Sequence, residues 1–266
     1  GESFDGDARL GRCLVIGGAA LERMGDRAGA EAMYRRAAAT EGEARGDGAT
    51  RLGLLLRNSG RDDEASAILR ESAADLDGRD GAPGLLALGD MAYARGDLEE
   101  AEACLSRYVE LMGDDASCAG AALTLGLISA KGGDHERACG WFRRVGERWP
   151  DSGLNGHARL ELGLALLALG REDEARGALI EASGCDDDRV AAAALRRLGG
   201  LASARGAHSE AAEMFGDAAA RGSGAEALDS RLRMAQSYVD AGMHDEADRS
   251  FSALIEEDSG AVGAEA

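Results

Sequence analysis

Apolar side chains along this chain return every three or four positions on both sides of a glycine, and the arrangement recurs seven times. Each of these glycines is followed five residues later by an alanine: Gly25/Ala30, Gly60/Ala65, Gly96/Ala101, Gly133/Ala138, Gly170/Ala175, Gly206/Ala211 and Gly242/Ala247. Spacings of three and four put one apolar stripe on a helix. Glycine reaches the left-handed backbone conformation that ends a helix, so each glycine marks the turn between two helices. Successive glycines stand 35 to 37 residues apart. A period of that length predicts helix hairpins stacked on one another, each unit burying its apolar face against its neighbours.

The fourth unit shows the pattern in detail. Ala122 to Ala130 is expected as a first helix, Gly132, Gly133 and Asp134 as the turn, and Glu136 to Trp149 as a second helix closed by Pro150. Gly126 and Ala138 are expected on facing sides of the two helices, where small residues permit close approach, with Leu125 and Phe142 filling the space beside them.

A leucine and a glycine on the first helix, a glycine at the turn, then alanine, an aromatic and a closing proline together resemble the tetratricopeptide repeat. Leu125, Gly126, Gly133, Ala138, Phe142 and Pro150 carry the resemblance in the fourth unit. Leu162, Gly163, Gly170, Ala175 and Leu179 carry it in the fifth, and Leu198, Gly199, Gly206, Ala211 and Phe215 in the sixth. The seventh departs at its first helix, where Met234 and Ala235 stand in the leucine and glycine places. The resemblance implies an all-α fold, an α-solenoid of about seven hairpins in a right-handed superhelix. The units expected are 11–44, 46–79, 82–115, 119–152, 156–189, 192–225 and 228–261, as a single array over 1–266. The period exceeds the family's roughly 34 residues, and acidic segments such as Gly113–Asp115 and Gly184–Asp188 are expected to absorb the excess as looser turns.

Composition agrees with an all-helical chain: aromatics are 4% of residues and prolines number two, so strand-forming character is low. The formal net charge is −19, with Lys131 the one lysine. So acidic a molecule suits neither a phosphate backbone nor an anionic membrane, and no nucleic acid and no direct membrane insertion are expected. Cys13, Cys104, Cys118, Cys139 and Cys185 form no CxxC pair, which points to a reducing compartment. A cytoplasmic location is expected, or a periplasmic one if a signal has been removed, since the chain opens on Gly1.

His135, His208 and His244 each stand two residues after a turn glycine. They lack the adjacent cysteines or carboxylates of a ligand cluster, so a structural turn role is expected and no metal. Trp149 before Pro150 is expected to pack at its helix end, with an interface role for Trp141 and Trp149 as the alternative. No catalytic or phosphate-binding fingerprint is present, and neither catalysis nor a cofactor is expected.

In the family, first helices line a concave groove. The resemblance places there Leu54, Arg57 and Asn58 in the second unit, Leu86, Asp90 and Tyr93 in the third, and Leu123, Leu127 and Lys131 in the fourth. Leu160, Leu164 and Leu167 follow in the fifth, and Arg196, Arg197 and Gly200 in the sixth. The groove is expected to be aliphatic at its centre with arginine at both ends, and to take an amphipathic helix or extended peptide. Val15, Ala19, Arg51, Pro83 and Ala87 stand where the chaperone-binding members carry their carboxylate clamp, so that ligand is not expected. Two functions follow: a scaffold that assembles a protein complex, or a regulatory domain of a larger enzyme such as a protease or kinase. The last hairpin, around Phe251 and Leu254, is followed by no polar capping helix, which leaves open cover by another domain, by a partner or by self-association, or a final hairpin polar enough by itself.

Overall fold

The computed structural model describes residues 2–40, 43–75 and 81–264. Residues 41–42 and 76–80, next to the expected junctions between the first three hairpins, lie outside the described residues. Two compact units are formed, Gly1–Ile128 and Ser129–Ala266. The first holds α1 (Glu2–Arg23), α2 (Arg27–Ala38), α3 (Glu43–Arg57), α4 (Asp62–Asp75), α5 (Ala82–Arg95), α6 (Leu98–Met112) and most of α7 (Cys118–Lys131). The second holds α8 (His135–Arg148), α9 (Asn155–Ala168), α10 (Glu172–Ser183), α11 (Asp188–Ala204), α12 (His208–Arg221), α13 (Gly224–Asp240) and α14 (His244–Ala264). Among the described residues every element is helical. Helices pack on their sequence neighbours from α1 to α6 and from α8 to α14, and first helices also meet the next first helix, as α1 does α3, α3 does α5, and α9 does α11. This is an all-α solenoid of hairpins.

All seven turn glycines read from the sequence take positive φ, from 72° at Gly170 to 83° at Gly96. At each turn the next residue's amide reaches back to the first helix, as Asp97 N does to Ala92 O at 2.9 Å and Arg171 N to Leu166 O at 2.9 Å. That closure satisfies carbonyls the helix end would otherwise leave unpaired. Where aspartate follows the glycine, its carboxylate caps the second helix. Asp26 accepts from Gly29 N at 2.9 Å and Asp134 from Arg137 N at 3.0 Å.

In five described hairpins the small residue of the first helix faces the large side chain nine positions after the turn, the place that Phe142 holds in the fourth hairpin. A Cβ on Gly53 would lie 2.5 Å from Leu69, one on Gly163 2.7 Å from Leu179, and one on Gly199 2.9 Å from the Phe215 ring. Gly18 and Gly89 meet Tyr34 and Leu105 in the same way. The alanines Ala30, Ala65, Ala101, Ala138, Ala175 and Ala211 are fully buried. Glycine is needed because a full-sized side chain already fills the space where its own would stand.

Neighbouring hairpins are also joined by charge on the second helices. The arginine ten residues after one turn meets the glutamate four residues after the next: Arg35 with Glu64 at 3.6 Å, Arg70 with Glu100 at 2.5 Å, and Arg143 with Glu174 at 3.3 Å. Arg61 and Arg171 take the place of the capping aspartate. Arg61 holds Glu64 with two hydrogen bonds of 2.7 and 2.6 Å and reaches Glu31 of the previous hairpin at 3.0 Å. Arg171 does the same to Glu174 and Glu136. These hairpins exchange a helix cap for a link to the preceding hairpin.

Hydrogen bonds from arginine hold Glu31, Glu64, Glu100 and Glu174 below the ordinary glutamate value of 4.5. A depressed folded-state pKa means that the ionised pairs stabilise the fold above that value and lose their contribution as acid titrates below it. Glu100→Gln is expected to lower stability at neutral pH by about 1 kcal/mol or less. The difference should shrink in acid, as the pH falls through the depressed folded-state pKa and the wild-type carboxyl becomes protonated as well. Thermal melting of both proteins at neutral pH and in acid checks this, and a gap that persists in acid would assign the effect to packing.

Candidate functional site

The first helices present a repeated side on which the expected groove residues lie. Their inner positions are committed to packing: Leu55, Leu56, Leu88 and Met91 in the first unit, and Ala165, Leu166, Leu195 and Leu198 in the second, are buried. The expected residues lie between these positions, at the margin of the core.

In the first unit Leu54, Leu86, Leu123 and Leu127 are each half-buried, and Leu54 also packs on the cluster formed by Leu52, Leu55 and Leu88. Tyr93 and Arg57 are half-buried as well, and Asn58 is exposed. Asp90 is exposed by area, yet its carboxyl has lost enough water to be pushed above the ordinary 3.8, with Arg57 beside it pulling the other way. A charged pair thus lies among the leucines of this unit.

In the second unit Leu160, Leu164 and Leu167 are half-buried, and Leu160 and Leu167 pack on Leu179, Ala182, Ala194 and Leu198. These two leucines serve the core as well as the surface, because the next first helix lies against them. Lys131, Arg197 and Gly200 are exposed. Arg196 is turned to a different task. It reaches Glu226 on α13 at 3.1 Å with its side chain 22% exposed, and so ties one hairpin to the next. Of the two arginines expected at that end, Arg197 is exposed and Arg196 is the one that bridges hairpins.

Glu161 was not among the expected residues. It is half-buried beside Leu160, and loss of water raises its carboxyl above the ordinary 4.5, while His157 and Arg197 draw it down. Its signal in the sequence is slight: it is the single acidic residue of α9, four positions after His157. Each unit therefore combines half-exposed leucines with one partly desolvated carboxylate and an arginine beside it. Such a surface offers apolar contact and a hydrogen-bonding pair that fixes orientation.

The other conspicuous residues fall outside this face. His135, His208 and His244 each open a second helix. Trp149 is buried and caps the end of α8, as expected from the proline that follows it. Trp141 is half-buried, with the Arg144 guanidinium 5.2 Å from its ring centre. Among the described residues no helix is long and apolar enough to cross a membrane.

Comparison with known proteins supports the repeat register. Residues 86–153 and 229–260 match models of the tetratricopeptide repeat. No curated protein matches the chain in sequence. Among solved structures, a tetratricopeptide repeat protein from Parabacteroides merdae is similar over 93% of both chains, at 14% identity and a TM-score of 0.59. MamA from Desulfovibrio magneticus is similar over 67% of this chain and 96% of its own, at 20% identity and a TM-score of 0.53. BtubC from P. vanneervenii is similar over 83% of this chain and 91% of its own, at 16% identity and a TM-score of 0.55. At these identities the likenesses show the fold. The two matched segments contain the turns at Gly96, Gly133 and Gly242, whose left-handed geometry recurs at the four remaining turns. The chain is a tetratricopeptide repeat protein.

Proposed function

We propose that the protein is an interaction scaffold, and that the first-helix face receives an amphipathic helix or extended segment of a partner protein, with 1–266 working as one array. The observation that carries this reading is the half-exposure of Leu54, Leu86, Leu123, Leu127, Leu160, Leu164 and Leu167. Leucine left half in water at a recurring place is free energy that a docking apolar surface recovers, at roughly 25 cal/mol per Å² of area covered. The pairs Arg57 with Asp90 and Arg197 with Glu161 supply the polar contacts that orient what docks. Asp90 and Glu161 also favour a ligand with basic groups, because a cation beside a desolvated carboxylate offsets its lost hydration.

Leu127→Glu together with Leu164→Glu is expected to reduce partner recovery at least ~10-fold, the effect of about 1.4 kcal/mol, while far-UV circular dichroism stays that of the wild type. Glu147→Ala with Glu213→Ala, both exposed on second helices, serves as the control and should recover partners as the wild type does. Affinity capture from the native host with the three proteins in parallel reads the outcome. Undiminished recovery by the leucine variant would remove the first-helix face from consideration.

A further inference from the structure

Asp90 and Glu161 differ from the paired glutamates of the second helices. Glu31, Glu64, Glu100 and Glu174 each lie within bonding distance of an arginine. Among the described residues Asp90 and Glu161 accept no hydrogen bond and close no ion pair within 4.0 Å, although Arg57 stands near the one and Arg197 and His157 near the other. Arg57 and Arg197 close no ion pair among the described residues either. His157 is turned to Asp187, its Nε2 3.9 Å from the carboxylate. Each unit therefore holds an acceptor without a donor and a donor without an acceptor, on first helices that meet: Arg57 on α3 with Asp90 on α5, and Glu161 on α9 with Arg197 on α11. A carboxylate that has lost water and gained no donor is a cost to the free protein, and a docking group that completes it recovers that cost.

The chemistry of an open pair selects what completes it. A cation on the ligand offsets the lost hydration of the carboxylate and leaves the arginine unfilled. A group that both donates and accepts serves the two together. The peptide unit is such a group, and in an extended chain the N–H and C=O of one residue point to the same edge, where a neighbouring strand exchanges two hydrogen bonds with it. A helix has spent those groups on itself, apart from its ends.

Two glycines leave room for a main chain to come close. Gly120 shares a side of α7 with Leu123 and Leu127, and Gly200 shares a side of α11 with Arg197. Both are exposed, and a Cβ on either would meet nothing within 4 Å.

We infer that the segment received by the first-helix face is extended and is held by its main chain: a residue of it donates its N–H to Asp90 or Glu161 and accepts on its C=O from Arg57 or Arg197, while its side chains cover the half-exposed leucines. This rests on the first-helix face being the docking surface, and it decides between a helical and an extended ligand.

Short random-sequence peptides displayed on phage, selected on the immobilised chain, supply the probes. Fluorescence polarisation then compares their binding to the wild type and to Leu127→Glu with Leu164→Glu. Peptides that the leucine variant no longer binds are ligands of the face. A selection that returns none removes the face itself, and this inference with it. In each ligand of the face, residues are N-methylated one at a time, which deletes a main-chain donor and leaves the side chain. Methylation at one or a few positions should weaken binding at least ~10-fold, as loss of a hydrogen bond to a charged group does. In Asp90→Ala or Glu161→Ala that same methylation should cost nothing, because the acceptor is already gone. Circular dichroism verifies folding, and Asp90→Asn and Glu161→Gln, which should lower the same cost, replace a variant that misfolds. A methylation cost that is unchanged in both carboxylate variants overturns the inference and leaves the face in place. So do ligands that bind more tightly when α-aminoisobutyric acid, a helix-favouring residue, is introduced, since they dock as helices.

Discussion

Phe215→Ala is expected to lower the free energy of unfolding by about 3–5 kcal/mol. The ring is 3% exposed and packs with Ala202, Ala211 and Met234, and it occupies the space beside Gly199. Removing it deletes a large apolar surface and leaves a cavity bordered by Gly199, Ala202 and Ala211, which have no side chain long enough to collapse into it, with Met234 the neighbour long enough to fill part of it. The loss should be local at first, because a stacked array derives its stability from each hairpin and its nearest neighbours. Urea denaturation gives the total, and hydrogen exchange should show protection falling first in α11, α12 and α13. A loss below about 1 kcal/mol would mean that the ring is not the centre of its hairpin.

A pair of glycine replacements should move stability in opposite directions. Gly53→Ala would set a methyl group 2.5 Å from both Cγ and Cδ2 of the fully buried Leu69. Alanine is intrinsically the better helix former by about 1 kcal/mol, yet overpacking of this kind costs about 1–3 kcal/mol. The clash reaches Leu69 near its root, where a rotamer change gives little relief, so net destabilisation is expected. Gly177→Ala meets nothing within 4 Å on the exposed side of α10. There the gain in helix propensity is unopposed, and stabilisation of about 0.4–1 kcal/mol is expected. Denaturant midpoints of both variants check the pair, and a shift of the same sign in both would contradict the packing assigned to the first-helix glycine.

Much of the fold is local and therefore legible. A glycine at φ 72–83° is required at each turn whatever surrounds it. The apolar spacing around that glycine depends on helix geometry alone, so the positions of fourteen helices follow from a one-dimensional pattern. The candidate face was legible to a lesser degree. The first helices that carry it could be named, but Leu54, Leu160 and Leu167 also pack on core clusters, and the spacing of three and four does not distinguish a side chain that faces water from one shared with the next helix. Arg196 and Arg197 are adjacent and alike in sequence; one bridges to Glu226 and the other stays exposed, since successive positions on a helix of 3.6 residues per turn face different ways.

The sequence by itself determined the elements, their turns and their order, because those depend on backbone conformations within a few residues. Tertiary structure alone decided which small residue receives which large one, since Gly53 and Leu69 meet only through the crossing of two helices. It decided the links of Arg70 to Glu100 and Arg143 to Glu174, about thirty residues apart in the chain, which hairpin stacking brings into contact. It also set the state of Asp90 and Glu161, whose carboxyls are raised by neighbours that exclude water and not by anything adjacent in sequence. Finally, it separated Leu232 from Leu160, residues of one type at one place in the repeat. One has a following helix against it and the other does not, and burial depends on the neighbour rather than on the residue.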